Sequence, residues 1–144
     1  MAPDAATILI VDDEFLNRDL LQQELIEAGY RTLLAVNGEE AVTIAAKAHP
    51  DLILLDAMMD GLDGFATCER LKRAESTRGI PVIFLTALTD TDVKVRAFRV
   101  GAVDYVTKPF HTEELLARVG THISLRREIE AHRRSKSTIQ YLVE

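Results

Sequence analysis

Cysteine is almost absent from this sequence, and Cys68 is the single one. An internal disulfide framework is therefore excluded, and a lone thiol fits a reducing cytoplasm, where the protein is expected. Cys68 falls in a predicted helix and reads as a packing residue rather than a reactive one. No apolar run approaches the ~18 residues that a membrane helix needs, so no membrane partner is expected. Met1 to Thr7 carry neither a basic start nor a long apolar segment, and no signal peptide is expected there. Internal repeats and low-complexity tracts are missing too. Basic charge is short: 17 Lys and Arg against 23 Asp and Glu leave a net charge of −6. Residues 122–144 carry +2 of this account, so the first 121 residues carry −8. That acidity argues against direct nucleic acid binding, because phosphate backbones are gripped by basic patches. The basic tail reads as a solvated helix face.

What is present is one domain's length of chain, 144 residues, with strand and helix signals in alternation. Thr7 to Val11 is a β-rich run ending at Asp12-Asp13. Residues 14–28 have helical spacing, with Phe15, Leu20, Leu21, Leu25 and Ile26 apolar, and Gly29 as the stop. Arg31 to Val36 is a strand, Asn37-Gly38 a turn, and 39–48 an alanine-rich helix stopped by Pro50. Asp51 to Asp56 and Ile80 to Thr86 are strands, apolar nearly throughout, as expected when both faces are covered. Phe65 to Glu75 and 90–100 are helices, and Gly101 closes the second. Ala102 to Thr107 is the fifth strand, and Thr112 caps a last helix. Strand and helix thus alternate five times, which predicts an α/β fold with a parallel sheet covered by helices on both sides.

Functional groups in such sheets gather at the carboxyl ends of the strands. There stand Asp12 and Asp13, Asp56, Thr86 with Ala87, and Lys108. Clustered carboxylates repel unless a cation joins them, and an oxygen-only ligand set suits Mg²⁺. With Lys108 added, the edge is ready to clamp a phosphoryl group. Asp56 is the best nucleophile, since a carboxylate can form an acyl phosphate. The Thr86 hydroxyl is placed to hydrogen-bond a phosphoryl oxygen. Taken singly, Asp12 or Asp13 reads equally well as the N-cap of the first helix. Two enzyme readings fail on residues. An aspartate-nucleophile phosphatase needs a second Asp two positions after the first, where Met58 stands. A dinucleotide site needs Gly-x-Gly-x-x-Gly after strand 1, where Asp12-Asp13-Glu14 would repel phosphates.

Four motifs carry a resemblance. They are Ile8-Leu-Ile-Val-Asp-Asp-Glu14, Leu54-Leu-Asp-Ala-Met-Met-Asp-Gly-Leu-Asp-Gly64, Pro81-Val-Ile-Phe-Leu-Thr-Ala87 and Gly101-Ala-Val-Asp-Tyr-Val-Thr-Lys-Pro-Phe110. In this order and spacing the chain resembles the receiver domain of two-component response regulators. The resemblance implies a flavodoxin-like five-stranded doubly wound sheet of order 2-1-3-4-5. It implies a module that takes a phosphoryl group from a histidine kinase or phosphotransfer protein onto Asp56, with Mg²⁺ as cofactor. Asp12, Asp13, Asp56 and the backbone carbonyl of Met58 would hold the metal. Thr86 and Lys108 would contact the phosphoryl group, Tyr105 would be the aromatic switch partner of Thr86, and Lys108-Pro109 would be cis. Such a module is a self-phosphorylating switch rather than a multi-turnover enzyme. Met58 and Leu88 would tune how long the phosphate lasts, and as apolar residues they imply slow loss. Where the family usually has Met-Pro-x-Met-Asp-Gly, Asp60 replaces the proline.

The receiver reading covers residues 1–121. Residues 122–144 are expected as a helical extension, a coiled-coil linker to an output domain. Leu125, Ile129, His132, Lys136, Ile139 and Val143 step by four and three, a weak heptad seam with two polar members. A homodimer is expected through this helix or through the face of helix 4, strand 5 and helix 5. His111, His122 and His132 have no metal-ligand spacing and read as solvated helix residues.

Overall fold

A computed structural model describes residues 5–59, 61–87 and 91–143, with side chains as far as Arg133. Asp60 and Leu88 lie outside the described residues, as do the side chains of Lys136, Ile139 and Val143. The strands are β1 Thr7–Val11, β2 Arg31–Ala35, β3 Leu52–Asp56, β4 Val82–Thr86 and β5 Asp104–Thr107. All pair in parallel, in the order β2-β1-β3-β4-β5. The helices are α1 Phe15–Glu27, α2 Gly38–Ala48, α3 Gly64–Arg73, α4 Thr91–Arg99 and α5 Thr112–Val143.

Period-two alternation explains why β1, β3 and β4 are apolar on both sides. Leu9, Ile53, Leu55, Val82 and Phe84 face one cluster, with Ala41 and Ala45 of α2, Phe65, Cys68 and Leu71 of α3 and Ala97 of α4. Ile8, Ile10, Leu52, Leu54, Ile83 and Leu85 face the other, with Leu21 and Leu25 of α1 and Leu115, Val119 and Ile123 of α5. Cys68 is fully buried, its thiol lies 3.4 Å from the Val100 carbonyl, and burial pushes its pKa up to about 11. That is a packing thiol.

Helix ends depart from the expected ones in instructive ways. Asn37 caps α2 by accepting from the Glu40 amide at 2.8 Å, so Gly38 opens the helix rather than closing a turn. Asp63 does the same for α3 at the Ala66 amide, 2.8 Å. Thr112 is no cap: it is the first helical residue, and its hydroxyl donates to Glu24 of α1 at 2.9 Å. Gly29 and Gly101 have φ of +98° and +106°, the left-handed values that favour glycine at helix ends.

Helix α1 buries less than its pattern suggests. Leu21 and Leu25 are buried, whereas Phe15, Leu16, Leu20 and Ile26 are each more than half exposed. Helix α5 runs for 32 residues and passes through Gly120, which costs about 1 kcal/mol relative to alanine in a helix interior. Burial of Leu115, Val119 and Ile123 on the sheet offsets that cost. His122 is not solvated. Its Nε2 lies 2.9 Å from Asp104 at the start of β5, where Arg118 also donates at 2.8 and 3.0 Å. Burial pushes the Asp104 carboxyl up, but hydrogen bonds from His122, the Tyr105 amide and Arg118 outweigh it and leave the carboxyl below its ordinary range. No described helix is long and apolar enough to cross a membrane.

Candidate functional site

The carboxyl ends of β1, β3, β4 and β5 bring the expected side chains to one edge. Asp12, Asp13 and Asp56 each offer a carboxylate oxygen, and these atoms lie within 4.8 Å of one another. Lys108 reaches into the cluster, its Nζ at 3.4 Å from both Asp12 Oδ2 and Asp56 Oδ2. Thr86 is fully buried at the end of β4, and the Lys108 amide donates to its carbonyl at 2.8 Å. That bond ties β4 to the Lys108-Pro109 turn, whose peptide is cis.

The acids differ in setting. Asp12 is 1% exposed and Asp56 8%, while Asp13 is exposed. The apolar run of β3 therefore ends in a buried carboxylate, one more enclosed than a strand surfacing at the edge implies. Burial raises the Asp56 pKa, and the Asp12 charge adds to this. The Met58 amide, donating to Oδ1 at 3.0 Å, and Lys108 oppose it. Neither Asp12 nor Asp13 caps α1. Its cap position is Glu14, without a side-chain cap bond. Asp12 Oδ1 instead accepts from the Glu14 amide at 2.9 Å, and the Asp12 carbonyl accepts from Arg18 Nη1 at 2.7 Å. The carboxylates are thus aimed at one another. Oxygen-only donors grouped in this way are a fit for a hard divalent cation such as Mg²⁺.

The segment after Asp56 folds back against it. The Gly64 amide donates to the Ala57 carbonyl at 3.1 Å. A Cβ on Gly64 would strike the Asp56 carbonyl oxygen and come within 2.7 Å of Ala57 Cα. Only glycine leaves room for this closure.

Tyr105 lies in β5 opposite Phe84, and Thr86 is opposite Thr107. By alternation, Thr86 and Tyr105 face the same side of the sheet, toward α4. Tyr105 is 9% exposed, with Lys94 of α4 5.6 Å from its ring centre. Its hydroxyl is buried without a hydrogen-bond partner among the described residues, and burial raises its pKa.

One feature escapes the sequence reading. A cavity of about 390 Å³ opens beside Lys108, lined by Leu20, Leu21 and Glu24 of α1 and by Ala87, Pro109 and Phe110. Phe15, Leu16 and Leu20, exposed by 68%, 78% and 54%, form an apolar patch on the same helix. Helical spacing signals such a stripe but not whether the domain itself covers it.

Residues 8–120 match the family profile of the response regulator receiver domain. The chain is 48% identical over 112 residues to the DNA-binding dual master transcriptional regulator RpaA of Synechocystis, which covers 78% of this chain and 46% of that protein. It spans about half the length of the first curated relatives it matches. A response regulator structure from Chloroflexus aurantiacus superposes with a TM-score of 0.81 at 36% identity, covering 84% of this chain and 99% of that one. The receiver domain of sensor histidine kinase PA1611 from Pseudomonas aeruginosa gives 0.78 at 31%, covering 83% and 98%. It has a magnesium ion coordinated in its active site cleft.

Proposed function

The chain belongs to the response regulator receiver domain family, a phosphorelay signalling module, and from that premise we propose that Asp56 is its phosphoacceptor. The observation that carries the reading is the position of Lys108 Nζ, 3.4 Å from both Asp12 and Asp56 in a cluster of three carboxylates. An Asp56 oxygen attacks the phosphorus of a phosphohistidine protonated by solvent on its free ring nitrogen, the P–N bond breaks, and neutral imidazole leaves. Asp12, Asp13, Asp56 and the Met58 carbonyl would hold Mg²⁺, which supplies positive charge to the phosphoryl oxygens. Lys108 supplies a second positive charge. The Thr86 hydroxyl donates to a phosphoryl oxygen and, in moving, leaves space into which Tyr105 can turn. The two states of such a switch differ by only a few kcal/mol. The activity is self-catalysed phosphotransfer and autodephosphorylation, not multi-turnover catalysis.

The partner is a histidine kinase or phosphotransfer protein in the cytoplasm. The exposed Phe15, Leu16 and Leu20 beside the acidic edge support its docking there. Val95, Phe98 and Val103, each about 40–50% exposed, support a homodimer through α4, β5 and α5. A dimer through α5 is the alternative, and it would cover Leu125 and Ile129 in place of any other partner. In that reading the helix beyond residue 121 links to an output domain.

Intact-mass measurement after incubation with acetyl phosphate and Mg²⁺ tests the reading. One phosphoryl group is expected on the wild type, and none on Asp56→Asn or in EDTA. An unmodified wild type with demonstrated Mg²⁺ binding would refute it.

A further inference from the structure

At the amino ends of β4 and β5, opposite the acidic edge, lies a groove of about 420 Å³ between α5 and the turn that leads into β4. Five residues of β4 separate the two ends, about 17 Å. The groove therefore belongs to a different face from the phosphoacceptor.

Two chemistries line it. Pro81, Val103, Leu125 and Ile129 are apolar, and the last three are 39%, 48% and 52% exposed. Leu125 and Ile129 stand four apart on α5, so they form one stripe. Lys72, Arg78, Arg126 and Arg133 bring positive charge against a single carboxylate, Glu130, on a chain whose net charge is −6. Two of these cations are built into the fold. Lys72 Nζ donates to the carbonyls of Arg78 and Ile80 at 3.1 and 2.6 Å. Arg126 donates to the Pro50 carbonyl at 3.0 Å and to Glu130 at 3.2 Å. The side chains of Arg78 and Arg133 have no hydrogen bond or ion pair among the described residues. Among the described residues the site thus holds two fixed charges, two unpaired guanidinium groups and an apolar stripe.

We propose that this groove docks an acidic, leucine-type segment of a partner protein. Its apolar side chains would lie on Leu125 and Ile129, and its carboxylates would take Arg78 and Arg133. Charge complementarity selects the occupant, because guanidinium groups pair bidentately with carboxylates. The lining has no Phe, Tyr or Trp to stack a nucleobase, its one ring, His122, is held by Asp104 at 2.9 Å, and a chain of net −6 repels a duplex. A concave site of this volume is within the ~300–1,000 Å³ range of ligand pockets and does not present itself to a flat lipid surface. A segment bound there leaves the acidic edge open, so docking and phosphorylation can occur together.

Fluorescence anisotropy with the full chain and a labelled peptide of alternating Glu and Leu tests this. Saturable binding is expected, weakening as salt is raised. Arg78→Glu with Arg133→Glu should weaken it by about tenfold or more, as should Leu125→Gln with Ile129→Gln. The same loss is expected for wild type with peptides carrying Gln for Glu or Ser for Leu. Far-UV circular dichroism should be unchanged in both variants, since the altered side chains are exposed. Absence of saturable binding to the wild type overturns the proposal, as does an affinity that survives the charge reversal. Tighter binding of duplex DNA or of anionic phosphatidylserine vesicles at the same residues overturns it as well.

Discussion

Replacing Asp56 by asparagine should make the metal-free protein more stable. The Asp56 carboxylate is 8% exposed and shares its space with Asp12 and Asp13, the ligand atoms lying within 4.8 Å of one another. Lys108 offsets part of that repulsion from 3.4 Å. At an effective dielectric of ~40, each carboxylate pair at the outer distance repels by roughly 1.7 kcal/mol and the lysine attracts by roughly 2.4 kcal/mol. Two repulsions against one attraction leave about 1 kcal/mol unfavourable, and removing a buried charge from water adds to it. Asparagine keeps the shape and still accepts the Met58 amide. A gain of about 1–2 kcal/mol is expected, which for 144 residues at ~2.1 cal/mol/K each is a Tm rise of roughly 3–7 °C. Magnesium should act in the opposite sense. The wild type gains about 2.7 kcal/mol at a hundredfold excess over Kd, and the variant, short of one ligand, gains less. Thermal melts in EDTA and in saturating Mg²⁺ give both numbers. A variant that melts below wild type in EDTA, or responds equally to Mg²⁺, would refute the electrostatic account.

Other consequences follow from the same geometry. Asp104→Asn should cost about 1–2 kcal/mol at neutral pH, discounted because Arg118 is half exposed. Since the folded Asp104 carboxyl lies below its ordinary value near 3.8, this stability is fully present above that value and lost as pH falls through the folded one. Acid melts of wild type and variant should therefore converge at low pH, and a constant gap would contradict the ion pair. Gly64→Ala should cost about 3 kcal/mol and slow acetyl phosphate labelling, because its Cβ meets the backbone of Asp56 and Ala57; denaturant melts and mass spectrometry check the two parts. The apolar Met58 beside Asp56 should hinder an attacking water, so phosphate loss followed by mass spectrometry should be slow, and a half-life of seconds would count against this.

The acidic edge is legible in the sequence because β3 and β4 are apolar on both faces. Such strands, alternating with helices, fit a parallel sheet between two helix layers, which puts every strand's carboxyl end on one side. Asp12, Asp56, Thr86 and Lys108 follow from that topology without any contact being known. What is not legible depends on partners distant in sequence. Thr112 looks like a cap, but Glu24, 88 residues earlier, takes its hydroxyl. His122 looks solvated because Asp104, 18 residues earlier, becomes its neighbour only once α5 lies along β5. The spacing of α1 reveals an apolar stripe, yet Leu21 and Leu25 alone meet the sheet, and Phe15, Leu16 and Leu20 are left for another surface.

The length of α5 makes it a lever. Its fulcrum is the row Leu115, Val119 and Ile123, buried against the sheet. From Ile123 to Val143 the arm is about 30 Å long at ~1.5 Å per residue. A tilt of about 10° at the fulcrum would sweep the far end through roughly 5 Å, close to one helical turn, the step by which packed elements ratchet between registers. Were the proposed switch at Asp56 to shift that fulcrum, the arm would multiply the movement at its far end.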